Sequence, residues 1–377
     1  MIKRYFNDLN KHLKPNKVLI IYGARRVGKT TLIEQYLKSY KKKYKLVSGD
    51  NFEIQETLSS NNFDKILEFC QGIDLLIIDE AQNIKNIGSG LKIIIDNIKG
   101  IKVIATGSSS FDLANQVGEP LVGRQNTINL FPVSQLELQS DFSDYELKKN
   151  LEQYLRFGSY PEALTFKKNE EKRDYLTNLV NSYLYKDILA LNTIKNSVIL
   201  SNLVKKLSFN IGNELSPNSL SQELGINVKT TVKYLDLLEK SFIIFRIQGF
   251  SKNLANEITK KQKYYFYDLG IRNAVINQFN KLSDRNDIGG LWENFVVIER
   301  IKRNQYKKSF HLSYFWRTYQ QHEVDYIEEK DAKVQAYEIK WSERVKSSKG
   351  IKVFTKTYDN SEGTIINKEN YLKFICK

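Results

Sequence analysis

The stretch Gly23-Ala24-Arg25-Arg26-Val27-Gly28-Lys29-Thr30 decides how the amino-terminal part of the chain is expected to fold. It matches the pattern G-x-x-x-x-G-K-[ST], in which a glycine-rich loop between a strand and a helix wraps around phosphate oxygens. An apolar, β-branched run precedes it at residues 17–22, and a helical pattern follows at residues 30–40. Backbone N–H groups of such a loop point at the bound anion. We therefore predict that this loop, together with Thr31, binds nucleotide phosphates, and that Lys29 reaches the β- and γ-phosphates.

Further apolar runs extend this pattern along the chain. Residues 73–78 and 101–105 each predict a buried strand, and residues 86–99 between them have helical spacing. A further short strand is predicted near residues 127–130. Strands that alternate with helices indicate an α/β fold with a mostly parallel sheet covered on both faces.

Two acids stand directly after the second of these strands. Asp79 and Glu80 follow the apolar run, which places them beside the phosphate loop. Asp79 and the Thr30 hydroxyl are predicted to bind Mg²⁺, and Glu80 is predicted to orient and deprotonate the attacking water. The alternative is that these acids cap the start of a helix, which Asp and Glu also do.

Polar residues also follow the third strand, and an arginine lies downstream. Thr106 or Ser108 is predicted to bond the γ-phosphate or the attacking water, with ordinary turn chemistry as the alternative. Arg124 is predicted to stabilise transition-state charge, in its own chain or in a neighbouring subunit. Its alternative is a structural ion pair.

These motifs together resemble the prokaryotic predicted ATPases of the AAA+ superfamily, whose members carry a carboxyl-terminal domain of unknown function. The resemblance covers nearly the whole chain, and it includes the motif Gly158-Ser159-Tyr160-Pro161-Glu162-Ala163. It implies ATP with Mg²⁺ as the cofactors and a five-stranded parallel core. We expect a P-loop AAA+-type core at residues 1–135, a helical lid region at 136–212, a winged helix at 213–280 and a nuclease-like domain at 281–377.

The middle of the chain has the pattern of a helix-turn-helix. A short helix from Leu220 meets Gly225, a second helix runs over residues 228–240, and strands at 242–247 and 264–267 would form the wing. Cations on these elements are predicted to contact DNA phosphates: Lys229, Lys233, Lys260, Lys261 and Lys263. The alternative is that the module serves as a lid or as a protein contact.

Two alternating segments near the carboxyl terminus bring acids and a lysine together. Asp325 lies on the first, and Glu338 and Lys340 share one face of the second because strand side chains alternate. This D…E-x-K arrangement resembles PD-(D/E)xK nuclease-like domains, although Val324 stands where that pattern has proline. The resemblance implies an α/β restriction-endonuclease-like fold with Asp325 and Glu338 as Mg²⁺ ligands. It also implies that Lys340 steadies the attacking hydroxide or the pentavalent phosphorus, and that Glu293 and Glu299 complete the metal site. A solvated hairpin face gives the same residues without catalysis.

Composition bounds the remaining possibilities. The 377 residues include 58 Lys plus Arg against 43 Asp plus Glu, a net charge of +15, which favours a nucleic acid, here DNA, as a partner. Cys70 and Cys376 offer no disulfide framework, and with three histidines the chain has no zinc-ligand spacing. No apolar run approaches the roughly 20 residues that span a bilayer, so we expect a cytoplasmic protein without a membrane partner. An arginine that acts in trans would require a homo-oligomer.

Two functions of different classes remain open at this stage. The first is an ATPase whose nucleotide state controls DNA binding or cleavage. The second is a nucleotide-gated switch or scaffold whose nuclease-like domain binds a protein or nucleic acid without cutting it.

Overall fold

A parallel sheet forms the centre of the amino-terminal region in the computed structural model, which describes residues 2–107, 120–182, 196–251 and 261–377. Its strands are β1 Val18–Tyr22, β2 Tyr44–Ser48, β3 Leu75–Asp79, β4 Lys102–Gly107 and β5 Gln125–Asn129. Within the described residues these five strands lie in the order β2-β3-β4-β1-β5, and every pairing is parallel. All five residues of β1 are buried, so both faces of the sheet are covered there. This confirms the predicted α/β fold with a parallel core.

Helices and short turns connect these strands. The α-helices are α1 Lys29–Ser39, α2 Phe52–Ser59, α3 Phe63–Phe69 and α4 Ile87–Asn97, and 3₁₀ turns cover Leu9–Lys11 and Ala81–Asn83. Together with Lys240–Phe242, residues Lys3–Phe131 make up one of two compact units of the chain.

The other unit is built mainly from Pro132–Glu239 and Ile243–Lys377. Its helices are α5 Gln135–Leu138, α6 Asp144–Lys149, α7 Leu151–Phe157, α8 Asn169–Leu179, α9 Ser197–Phe209, α10 Pro217–Leu224, α11 Val228–Lys240, α12 Leu269–Val275, α13 Ile288–Tyr306, α14 Lys349–Thr357 and α15 Tyr371–Cys376, with a 3₁₀ turn at Leu282–Asp284. Its strands are β6 Glu214–Leu215, β7 Ile244–Gly249, β8 Gln262–Phe266, β9 Leu312–Arg317, β10 Glu323–Lys330, β11 Lys333–Ile339 and β12 Ser361–Ile366.

One sheet contains all these strands. Over the described residues its order is β12-β11-β10-β9-β7-β8-β6. The hairpin β7–β8 joins the carboxyl-terminal strands because β7 pairs in parallel with β9, with Gln248 opposite Tyr314 and Gly249 opposite Phe315. Strands from either side of the predicted boundary at residue 280 therefore share a sheet, and the predicted division into four domains stays a prediction.

The loop around Gly158 illustrates how a local motif is built into this unit. Gly158 has φ 67°, and a Cβ at this position would lie 2.1 Å from Asp268 Oδ1, so only glycine fits. The Asp268 carboxylate accepts hydrogen bonds from the Ser159 N–H at 2.6 Å and from the Ile271 N–H at 3.1 Å. It therefore caps α12 and anchors the Gly158 loop at the same time.

Candidate functional site

Glycine geometry shapes the loop between β1 and α1. A Cβ on Gly23 would lie 2.2 Å from the Leu130 carbonyl oxygen, so a side chain there would displace the backbone. Gly28 has φ 95° immediately before α1 begins at Lys29. L-residues with side chains disfavour this conformation, so both motif glycines are required by the backbone. The loop and the first turn of α1 present backbone N–H groups, as an anion site does.

Lys29 lies beneath this loop. Its Nζ donates hydrogen bonds to the carbonyl oxygens of Gly23 at 3.0 Å and Ala24 at 3.1 Å, and the residue is 5% exposed. Burial lowers the pKa of Lys29 to about 8, although Glu80 and Asp79 act in the opposite direction. The ammonium is thus held by neutral oxygens that phosphate oxygens can replace.

Two predicted side chains meet at the carboxylate of Asp79. The Thr30 hydroxyl donates to Asp79 Oδ2 at 2.8 Å, and the Thr106 hydroxyl donates to Asp79 Oδ1. They meet because β1, β3 and β4 are parallel, so their carboxyl ends share one edge of the sheet. A threonine hydroxyl and a carboxylate are oxygen ligands of the kind that Mg²⁺ binds alongside nucleotide phosphates. These residues fit the predicted metal.

Glu80 follows in a strained backbone conformation, with φ 52° and ψ 42°. Its N–H donates to Asp79 Oδ1 and to Thr106 Oγ1, both at 3.2 Å, and its carboxylate accepts a hydrogen bond from the side-chain amide of Gln82. Left-handed backbone at a residue with a long side chain is uncommon and is held by its surroundings. The Gln82 amide thus fixes the direction of the Glu80 carboxylate, a contact that the sequence analysis did not single out.

Arg4 is a second residue that the sequence analysis missed. Its guanidinium donates from Nη1 to the Val27 carbonyl oxygen at 2.5 Å and from Nη2 to the Phe131 carbonyl oxygen at 2.6 Å. The residue is 6% exposed. Arg4 therefore ties the phosphate loop to the segment that follows β5. It stands 19 residues before Gly23, outside any pattern that marks the loop.

The other predicted site residues of the amino-terminal unit do not all lie at the loop. Arg25, Arg26 and Thr31 are exposed on or beside the loop. Arg124 does not join the phosphate loop of its own chain: its carbonyl accepts from the Val18 N–H at the start of β1, about 15 Å from the loop at roughly 3.3 Å per strand residue. Its guanidinium pairs with Asp96 at 2.8 Å, the alternative considered from the sequence. A role in trans stays a prediction, and Ser108 lies outside the described residues.

The carboxyl-terminal acids do converge. Asp325 Oδ2 accepts the Ile339 N–H at 2.7 Å and lies 3.5 Å from Lys340 Nζ, which in turn lies 2.7 Å from Glu338. Burial and the neighbouring Asp325 raise the pKa of Glu338. The D…E-x-K residues thus share one cluster, as the alternating pattern predicted.

Lys263 also enters this cluster, and that was not predicted. From β8 its Nζ lies 3.0 Å from Glu293, 2.6 Å from Glu323 and 4.0 Å from Asp325. The Tyr265 hydroxyl donates to the same Glu293 oxygen at 2.7 Å. The side chain of Lys263 is 1% exposed, so the predicted DNA contact for this lysine is wrong.

In this cluster, burial and the neighbouring charges shift the pKa values of Lys263 and Glu293 in opposite directions. Burial by itself would lower the pKa of Lys263, but Glu293, Asp325 and Glu323 raise it above the ordinary value. Burial raises the pKa of Glu293 to about 7, against the effect of Lys263. The cluster is therefore held by the attraction between one buried ammonium and the carboxylates around it.

Glu299 lies apart from this cluster. It pairs with Lys302 at 2.8 Å and accepts the Gln135 N–H at 2.6 Å, so it does not complete a site around Asp325. In the part of the chain that the structure describes, no group of three or more His, Cys, Asp or Glu side chains is arranged to hold a metal ion. Metal binding by Asp325 and Glu338 stays a prediction.

The helix pair α10–α11 presents exposed cations. Ser216 caps α10 through the Ser219 N–H at 3.0 Å, and Gly225 ends it with φ 64°. Lys229 and Lys233 are exposed on α11, whose opposite face is buried. Lys261 is exposed beside β8, and Lys260 lies outside the described residues.

The amino-terminal sheet and its loop define the class: a parallel α/β core that resembles a P-loop ATPase. Residues 15–139 match the family model described as an AAA domain. Residues 148–282 and 288–375 match two models described as domains of unknown function, DUF8612 and DUF4143.

Sequence alignments with several relatives cover most of the chain. An uncharacterized protein of Mycobacterium tuberculosis is 24% identical over 336 residues, covering 88% of this chain and 72% of the relative. One of Methanocaldococcus jannaschii is 26% identical over 345 residues, covering 85% and 74%. A Walker-type ATPase of Pyrococcus abyssi aligns in structure at 15% identity and a TM-score of 0.45, covering 69% of this chain and 91% of that one.

Across the ranges that the structure describes, none of the helices combines the length and apolar character needed to cross a bilayer.

Proposed function

We propose that the amino-terminal unit binds ATP with Mg²⁺ and hydrolyses it. The observation that carries this proposal is the meeting of Thr30, Asp79 and Thr106 at one edge of the sheet, beside Glu80 and above the buried Lys29. A loop that only recognised an anion would not need a carboxylate pair at this position.

Each side chain has a distinct task in this proposal. Loop N–H groups and Lys29 bind the β- and γ-phosphates, and Thr30 and Asp79 hold Mg²⁺. When bound, Mg²⁺ neutralises charge on the phosphate oxygens. Glu80 orients the attacking water and takes its proton, with Gln82 fixing the direction of the carboxylate.

Steady-state phosphate release tests the assignment of Glu80. Glu80→Gln keeps the size of the side chain and removes the base, so we expect at least about a 100-fold loss of turnover with ATP binding retained. Lys29→Ala should lose binding itself. Glu56→Gln, an exposed change on α2, is the matched control and should behave as wild type. Equal phosphate release from wild type and Glu80→Gln would remove Glu80 from the mechanism.

We propose further that α10 and α11 bind duplex DNA. The supporting observation is the capped helix pair with Lys229 and Lys233 exposed on the second helix. Removing two phosphate contacts should reduce the slope of log affinity against log salt by about 2. Fluorescence anisotropy between low and physiological salt measures this for Lys229→Ala/Lys233→Ala.

The control for DNA binding removes the same charge elsewhere. Lys92 and Lys99 are both exposed in the amino-terminal unit, so Lys92→Ala/Lys99→Ala lowers the net charge equally. If both double variants weaken binding alike, the effect is one of net charge, and the helix pair is not the DNA-binding surface.

For the carboxyl-terminal acids we propose the scaffold function over cleavage. Each predicted ligand has a lysine partner: Lys340 for Asp325 and Glu338, and Lys263 for Glu293. Incubation of plasmid and linear DNA with the full chain and Mn²⁺ tests this. Cleavage that disappears in Asp325→Ala and Glu338→Ala would establish a nuclease and reject the scaffold.

A further inference from the structure

Three carboxylates from two elements surround the ammonium of Lys263. Glu293 comes from α13, and Glu323 and Asp325 come from β10, at 3.0, 2.6 and 4.0 Å from Nζ. The lysine itself reaches in from β8 and is 1% exposed. A fourth acid, Glu338, is joined to Asp325 through Lys340. The centre of the acid cluster is thus filled by a side chain of the same protein.

The chemistry of this centre is that of a cation site. Carboxylates are the ligands that Mg²⁺ and Mn²⁺ prefer, but with Lys263 in place the described acids are arranged around an ammonium and not to hold a metal ion. A lysine ammonium presents three N–H donors from one compact charge, which suits three carboxylates. A divalent ion bound to these same oxygens would lie within a few ångströms of Nζ, where the repulsion between the two cations is strong.

We propose that Lys263 is a built-in cation that replaces a divalent metal ion in the acid cluster of Glu293, Glu323 and Asp325. The lysine thereby ties β8 to α13 and β10 and excludes a metal from the oxygens of these three carboxylates, of which Asp325 belongs to the D…E-x-K pattern. This inference rests on the proposed scaffold function and gives a reason why the carboxyl-terminal acids would not bind a catalytic metal.

The position of the lysine explains why the sequence pattern alone misleads. Lys263 is 62 residues before Asp325, and it reaches the cluster because β7 pairs with β9 and places β8 in the same sheet. The acids of the pattern are present, and each of them pairs with a lysine of the same protein.

Manganese binding to the full, nucleotide-free chain tests the proposal. Mn²⁺ is titrated by electron paramagnetic resonance into wild type, Asp325→Asn, Lys263→Met and Lys263→Met/Asp325→Asn. Lys261→Met is the matched control, because Lys261 is exposed and only two residues away. Comparing each protein with its Asp325→Asn partner removes Mn²⁺ bound elsewhere, including at Thr30 and Asp79.

We expect wild type and Asp325→Asn to bind equal amounts of Mn²⁺. Lys263→Met should gain one equivalent, which the double variant loses, and Lys261→Met should gain none. A loss of one equivalent from wild type on Asp325→Asn would overturn the proposal, and so would a folded Lys263→Met that gains none. If Lys263→Met fails to fold by circular dichroism, the wild-type comparison decides alone.

The two proposals fail in distinguishable ways. Metal-dependent cleavage by wild type would defeat both the scaffold function and the built-in cation. No cleavage by wild type, together with no gain of Mn²⁺ in folded Lys263→Met, would defeat the built-in cation only.

Discussion

Replacing Arg4 with alanine tests whether the phosphate loop is supported from the amino terminus. Arg4→Ala removes two buried hydrogen bonds, to the carbonyl oxygens of Val27 and Phe131. A hydrogen bond from a charged donor contributes about 1.5–3 kcal/mol, so the pair contributes about 3–6 kcal/mol to the free energy of unfolding. Water entering the vacated space would solvate the carbonyls, so we expect a loss near the lower end, about 3 kcal/mol.

The two bonds have different consequences for function. Only Val27 belongs to the loop, so about half of the loss, roughly 1.5 kcal/mol, bears on the loop conformation. Every 1.4 kcal/mol is tenfold in affinity, so ATP binding should weaken about tenfold. The Phe131 bond contributes to stability alone.

Two measurements and two further variants test this reasoning. Chemical denaturation gives the free energy of unfolding, and calorimetric titration gives the affinity for ATP with Mg²⁺. Lys3→Ala, at the exposed neighbouring cation, should match wild type in both. Arg4→Lys should fall between, because a lysine lacks the forked guanidinium that reaches two carbonyls. An Arg4→Ala protein with ATP affinity within about twofold of wild type would refute the argument.

Three further predictions concern other positions. Gly23→Ala should abolish nucleotide binding in calorimetric titration, because its Cβ would lie 2.2 Å from the Leu130 carbonyl oxygen; retained binding would show that the loop can shift. The pKa of Lys29 is about 8, so above pH 8 it loses its proton and the affinity for a fluorescent ATP analogue should fall by up to about tenfold per pH unit, whereas Lys29→Arg stays charged and its affinity should not change with pH. Wild-type affinity that is constant from pH 7 to about 9.5 would contradict this assignment. Asp268→Ala should lower the free energy of unfolding by about 2–4 kcal/mol in urea denaturation, because two buried N–H groups lose their acceptor. The exposed change Asp284→Ala is its control, and equal stability of the two variants would show that the cap is unimportant.

The parallel core, and the meeting of Thr30 and Thr106 with Asp79, could be predicted from the sequence because their signals are local. The phosphate loop and the Asp79-Glu80 pair each follow a continuous apolar run, and parallel strands bring their ends together. Strand β2 was missed, since Tyr44–Ser48 lies at the sheet edge with no fully buried residue and therefore has no apolar run.

The residues that could not be predicted act over long sequence separations. Arg4 and Lys263 are ordinary basic residues in the sequence, and only the fold shows what they contact. Lys263 was predicted to contact DNA phosphates from a hairpin, yet its side chain is 1% exposed and lies among Glu293, Glu323 and Asp325. Arg124 was predicted to act near the loop, but its carbonyl bonds to the start of β1, and the loop follows the end of that strand.

The shared sheet limits how the chain can be divided for experiments. A fragment that begins at residue 281 would lack β7, the neighbour of β9, and so would leave a row of backbone N–H and C=O groups on β9 without partners. Exposed strand edges of this kind pair with other molecules and promote aggregation. Expression of the carboxyl-terminal region should therefore start upstream of β6, so that the fragment includes the β7–β8 hairpin that pairs with β9.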